Sequence, residues 1–135
     1  MTKNIFTKVL LIISGIIGIW VGYSLLFSTV AFEATAGINL GKDINLLSEL
    51  RAPSGLLLVG GVLIILGAFY SKLRFTSILL SCLIYLSYGF SRLVSIIFDG
   101  FPSESLQIAL IAEFLVGLTS LFVLIRFNSK QIKPV

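Results

Sequence analysis

Arg92 and Glu113 are the residues of this chain best placed to do chemistry, because each interrupts sequence that is otherwise too apolar to hold a charge. Arg92 lies seven residues inside Asp99, about 10 Å along a helix, and Glu113 nine residues inside Glu104, about 14 Å. A charge at that depth in hydrocarbon costs several kcal/mol, so it turns inward and finds a partner. Each is the other's obvious partner. The pair reads either as a structural ion pair tying two helices together or as the polar end of a ligand or proton site. Desolvation offsets much of the attraction inside a buried pair, which makes it a weak stabiliser and leaves room for the second reading.

Arg92 belongs to a longer pattern. Ser81, Tyr85, Tyr88, Arg92, Ser95 and Asp99 recur every three or four residues, which places them in one stripe along a helix. Lipid offers no hydrogen bonds, so the stripe should face the protein interior. Glu49 and Arg51, two residues apart, bring a second pair of opposite charges to the neighbourhood; they either snorkel to the interface or turn inward. If they turn inward, Glu49, Arg51, Tyr85, Tyr88, Arg92 and Glu113 form one outward-facing polar pocket. Its two guanidinium groups could hold a carboxylate or phosphate in bidentate geometry.

The elements that must position these groups follow from where charge is missing. The runs Val9 to Phe32, Ala52 to Ser71, Phe75 to Ser91 and Ser105 to Ile125 are free of ionisable side chains apart from Glu113 and the buried-thiol candidate Cys82 and tyrosines. Each is close to the roughly 20 residues that a helix needs to cross hydrocarbon. With 57% hydrophobic and 12% charged residues, 135 residues leave little chain for a separate soluble domain. The expected fold is all-α: one integral membrane four-helix bundle over residues 1–135. Its spans lie near 6–32, 53–71, 75–98 and 104–126, with a long outer loop at 33–52.

The net charge of +4 is arranged along the membrane normal rather than in a patch. Lys3, Lys8, Lys72, Arg74, Arg126, Lys130 and Lys133 fall on one side, whereas Glu33, Asp43, Glu49, Asp99, Glu104 and Glu113 all belong to the other half, with Lys42, Arg51 and Arg92 among them. Basic residues are retained in the cytoplasm, so both termini are expected there. This distribution excludes a nucleic-acid surface. Lys3 and Lys8 before an apolar run, with Ala34-Thr35-Ala36 after it, resemble a signal peptide, but the run exceeds a signal core of about 7 to 15 residues and reads as a retained span.

Span one carries Ser14, Gly18 and Gly22 at intervals of four, with Gly15 beside them. Such a ridge lets another helix approach closely, within the protomer or in a homo-oligomer through Gly15, Gly18 and Gly22. The 33–52 connection holds polar turn residues together with Ile38, Leu40, Ile44, Leu46 and Leu47, and reads as an ordered cap with a short interfacial helix from Ile44 to Leu50. Span two is expected to begin near Pro53, tolerated in a first turn. Gly100-Phe101-Pro102 permits a tight return from span three to span four.

The strings Ser48-Glu49-Leu50-Arg51-Ala52, with Gly55 after it, Tyr88-Gly89-Phe90-Ser91-Arg92, Asp99-Gly100-Phe101-Pro102, and finally Glu113 resemble a family of small bacterial four-helix membrane proteins classed as a domain of unknown function. That family is similar in architecture to DoxX-like membrane proteins, some of which are subunits of quinone-linked oxidoreductases. The resemblance implies Glu49, Arg51, Arg92 and Glu113 as signature positions and implies no reaction. Pro53-Ser54-Gly55-Leu56 departs from the aromatic and two glycines that the family tends to carry there.

With no His and one Cys, the chain lacks the usual metal ligands and acid–base residues, so no metal, cofactor or catalytic residue is expected. The favoured reading is non-enzymatic binding of a small amphiphile, lipid or anion in the outward pocket. The alternatives are an accessory subunit of a larger membrane complex with purely structural charges, a redox or proton-coupled subunit, and an oligomeric transporter.

The charge asymmetry predicts that a cysteine introduced by Asp43→Cys is labelled by a membrane-impermeant thiol reagent from outside intact cells. Labelling confined to inverted vesicles would reverse the topology.

Overall fold

The computed structural model describes residues 2–131; Lys133 of the basic tail lies outside the described residues. Helix α1 spans Thr2–Phe27, α2 Thr29–Thr35, α3 Ile44–Phe69, α4 Arg74–Asp99 and α5 Glu104–Gln131, with a single 3-10 turn at Ser71–Leu73 before α4. Helices α1, α3, α4 and α5 are each long and apolar enough to cross a membrane. Helix α1 packs on α3, α3 on α4, and α4 on α5, whereas α1 meets α4 and α5 only sparsely.

Small residues set the α1–α3 seam. Gly15, Gly18 and Gly22 are buried against α3, so the ridge seen in the sequence is in use inside the protomer. A methyl group on Gly61 would lie 2.7 Å from both the Gly15 carbonyl oxygen and the Ile19 backbone nitrogen, and one on Gly22 would lie 2.9 Å from the Ser54 carbonyl oxygen. The two backbones are therefore closer than any side chain allows, which maximises van der Waals contact where no hydrophobic force operates. Leu11, Leu57, Ile64, Ala68, Ile78, Ile84, Tyr85 and Val123 form the core beside this seam.

The chain departs from its expected boundaries at two places. Span one does not continue to residue 32: α1 stops at Phe27, Ser28 leaves helical geometry at φ −129° and ψ 36°, and α2 begins at Thr29. The Phe32 and Trp20 rings then meet edge to face, with centroids 5.6 Å apart. The segment that follows the first span thus bends back toward α1. Gly37, at φ 79°, ends α2 while Ile38 N–H donates to the Glu33 carbonyl.

The second departure is at span two. No separate interfacial helix ends at Leu50 and no helix starts at Pro53; α3 runs unbroken from Ile44, with Pro53 in its interior. Asp43 nucleates it early, its carboxylate accepting from the backbone N–H groups of Asn45 at 2.9 Å and Leu46 at 3.2 Å. Pro53 then costs the Glu49 carbonyl its intrahelical donor, a loss the exposed face at this level can hydrate. The polar connection accordingly shrinks to residues 36–43.

A methyl on Gly55 would meet nothing within 4 Å, which makes it the control for Gly61. Gly61→Ala is expected to destabilise the fold by about 1–3 kcal/mol through overpacking. Gly55→Ala should be neutral or slightly stabilising, since alanine is the better helix former. Reversible unfolding in mixed micelles measures both, and equal effects would contradict the seam.

Candidate functional site

The polar stripe of α4 meets each of the other spans in turn. Near the termini end, Ser77 donates to the Leu63 carbonyl of α3 at 2.7 Å. One turn on, Ser81 Oγ and Ser120 Oγ of α5 lie 2.9 Å apart, and the Tyr85 hydroxyl then donates to the Ser14 carbonyl of α1. Arg92 reaches α5. Every one of these side chains is a donor that hydrocarbon could not satisfy, so helical periodicity in the sequence becomes a ladder of interhelical bonds. At the far end Ser95 bonds Asp99 of its own helix at 3.1 Å, where both are exposed.

The Arg92–Glu113 contact has a particular form. Nε alone makes it, donating to Glu113 Oε1 at 2.9 Å and Oε2 at 3.0 Å. Among the described residues, Nη1 and Nη2 have no acceptor within hydrogen-bond distance. The carboxylate is also the deeper partner, its side chain 13% exposed against 31% for the arginine. Glu113 therefore fixes the guanidinium by its inner edge and leaves the outer fork free.

Arg92 belongs to the wall of a cavity of about 390 Å³ at the α2 end of the bundle. Helix α4 contributes Ile84, Tyr85, Tyr88 and Arg92 to the wall, and α5 contributes Glu113 among small and aliphatic neighbours. Across from them stand Gly18, Trp20 and Leu25 of α1 and Phe32 and Glu33 of α2; α3 reaches the wall through Leu57. The cavity thus lies between two tightly packed helix pairs, α1–α3 on one side and α4–α5 on the other, where α1 and α5 barely touch. Its wall is mainly apolar with a polar cluster at one end, the usual composition of a ligand site in this volume range.

Of the six residues picked from sequence, the structure brings Tyr85, Tyr88, Arg92 and Glu113 together and leaves Glu49 and Arg51 out. Glu49 is exposed on the second turn of α3, a consequence of that helix starting at Ile44. Arg51 has a different occupation: its Nε donates to Thr29 Oγ1 at 3.1 Å, and that hydroxyl in turn donates to the Leu25 carbonyl at 2.5 Å. Thr29 is fully buried at the break between α1 and α2. Arg51 therefore clamps the break to α3 instead of facing the cavity.

Glu33 is the cavity residue that sequence reasoning missed. By sequence it heads the 33–52 connection; the break at Ser28 brings it into the same cavity wall as Arg92. It forms no ion pair there among the described residues, yet the guanidinium acts on it: burial raises the proton affinity of the Glu33 carboxyl above its ordinary value, and the positive charge of Arg92 opposes that rise. The Tyr88 hydroxyl, half-buried in the same wall, makes no hydrogen bond to a described residue. The Tyr85 hydroxyl spends its proton on Ser14 and retains only acceptor capacity.

Removing one member of the Arg92–Glu113 pair strands the other charge. Arg92→Leu is expected to destabilise the bundle by somewhat less than the ~3–5 kcal/mol typical of a fully buried pair, while Arg92→Leu combined with Glu113→Leu should cost less than the single change. A double-mutant cycle read by unfolding in mixed micelles checks this, and equal losses would show that the pair is not coupled.

Comparison with known proteins adds a family. No curated protein and no solved structure gives a match to the chain. Residues 6–124, which include all four spans to within their last turns and every residue of the cavity wall, match a family model described as a domain of unknown function, DUF4345. The chain is therefore a member of the DUF4345 family, a small membrane protein with four apolar helices long enough to span.

Proposed function

We propose that this protein binds a small amphiphile in the cavity between its two helix pairs, without transforming it. The observation that carries the reading is the way Arg92 is held. A guanidinium whose Nε is anchored by Glu113, whose Nη groups are uncommitted and which lines a largely apolar cavity is oriented in advance, so a ligand's oxygen atoms meet donors that need not reorganise. A purely structural ion pair would gain most from using the fork itself, because two parallel N–H···O bonds are the stronger geometry. The apolar remainder of the wall, with Trp20, Leu25 and Ile84 in it, suits an alkyl chain.

The sparse meeting of α1 and α5 favours a ligand that comes from the bilayer, because that side of the cavity borders lipid if the four helices span. In this reading both termini are cytoplasmic, the membrane is a bacterial inner membrane, and the cavity occupies the outer leaflet side beneath α2. The functional residues are Arg92 as anchor, Glu113 as the residue that orients it, and Tyr85 and Tyr88 as wall and hydrogen-bonding groups.

Native mass spectrometry of protein extracted in mild detergent tests this directly: one amphiphile per chain should co-purify. Arg92→Lys keeps the charge, loses the fork and should lower occupancy. Ala109→Phe, which fills the wall from α5 one turn before Glu113 and leaves every charge in place, should abolish it. If the wild-type protein carries no small molecule, or Ala109→Phe carries as much as wild type, the binding reading fails.

A further inference from the structure

We propose that the ligand of this cavity is a zwitterionic, single-chain amphiphile whose anionic group sits on the Nη fork of Arg92 and whose ammonium sits at Glu33. The proposal rests on the binding reading above and narrows it to a chemical class. The charged groups in the wall are one guanidinium and two carboxylates. Glu113 is committed to Arg92 through both of its oxygens, so two unfilled valences remain: a donor fork on α4 and an acceptor carboxylate on α2.

These two groups face the same cavity and influence one another without an ion pair between them. Whatever fills the gap must therefore present an acceptor anion to one side and a cationic donor to the other. A simple anion would satisfy the fork but place like charge against Glu33 and Glu113. A simple amine would pair with Glu33 but leave the fork without an acceptor and add positive charge beside it. A head carrying both charges, with a phosphate or carboxylate and a primary ammonium, avoids each penalty. An ammonium next to Glu33 would also join Arg92 in opposing the effect of burial on that carboxyl.

Tyr88 adds a further donor on the phosphate side, since its hydroxyl is uncommitted and one turn from Arg92 on the same helix. The chain volume argues for one acyl tail, because about 390 Å³ holds a head and part of a single chain. Trp20 and Phe32, stacked edge to face, close the apolar side on which that tail would lie.

Trp20 is the chain's sole tryptophan and part of the cavity wall, so its fluorescence reports occupancy. The protein in phosphatidylglycerol nanodiscs would be titrated with three probes of one chain length: octanoyl lysophosphatidylethanolamine, its N-acetyl derivative, which keeps the phosphate and loses the cation, and octylamine. Native mass spectrometry counts the bound probe, and empty nanodiscs correct for partition. The zwitterion should bind about tenfold or more tightly than either of the others, a difference of ~1.4 kcal/mol. Glu33→Gln should erase its advantage over the N-acetyl probe, and Arg92→Lys should weaken both phosphate-bearing probes. If the N-acetyl probe binds as tightly as the zwitterion to the wild-type protein, the zwitterion proposal is overturned while the cavity remains a binding site for anions. If octylamine binds tightest, the ligand class is a cation and the proposal is equally overturned. Absence of binding by all three removes the proposal and the binding reading together.

Discussion

Hydrocarbon supplies no hydrogen bonds, and the whole arrangement of this bundle depends on that constraint acting on α4. Four side chains of its polar face, Ser77 among them, donate across the bundle where lipid would offer no acceptor. They are satisfied on three different helices: Ser77 on α3, Ser81 and Arg92 on α5, and Tyr85 on α1. A helix that must reach all of its neighbours has to sit against the middle of the bundle. The α3–α4 contact and the weaker reach of α4 to α1 are thus consequences of side-chain chemistry on one helix. Glycine seams act differently. They set how closely α1 and α3 approach, and Gly117 against Leu86 does the same for α4 and α5, but small residues do not specify which helix goes where.

The stripe was legible in sequence because its spacing matches the helical period and its residue types have no place in lipid. The meeting of Arg92 with Glu113 was legible for a related reason: a tight turn at Gly100, whose φ of 93° suits glycine, fixes the register of α4 against α5 and so brings two depths into line. Charge-free runs likewise gave four spans. The breakdown came where an outcome depends on tertiary position rather than on local period. Ser28 is an ordinary helix residue by composition, and nothing in its neighbourhood announces that the chain reverses there. Without that reversal Glu33 is a loop acid, and the cavity lacks its second carboxylate.

Arg51 illustrates the same limit from the other side. Its proximity to Glu49 suggested a local pair, yet its partner is Thr29, twenty-two positions earlier, at a break that sequence period did not reveal. Pro53 misled in a similar way: a proline permitted in a first turn is also permitted mid-helix when the orphaned carbonyl can reach water, and Asp43 had already started the helix. Ser120 escaped notice because a serine in an apolar span is unremarkable until its partner, Ser81, is known to face it.

The two ends of the bundle end up physically unlike. At the termini end, short hydroxyl side chains bridge helices and permit close packing: Ser77, Ser81 and Ser120 are all fully buried, as is Ile78. At the α2 end the bridge between α4 and α5 is the long Arg92–Glu113 pair, and the helix opposite, α1, presents Gly18. The long bridge between α4 and α5 and the sparse meeting of α1 with α5 leave volume between the helix pairs. Closing it would bring α1 onto the free fork of Arg92 with only apolar side chains to meet it, stranding buried donors. The cavity is thus bounded by the same ion pair that joins α4 to α5, and Glu33, which follows Thr29 of the Thr29–Arg51 clamp in the chain, stands in its wall.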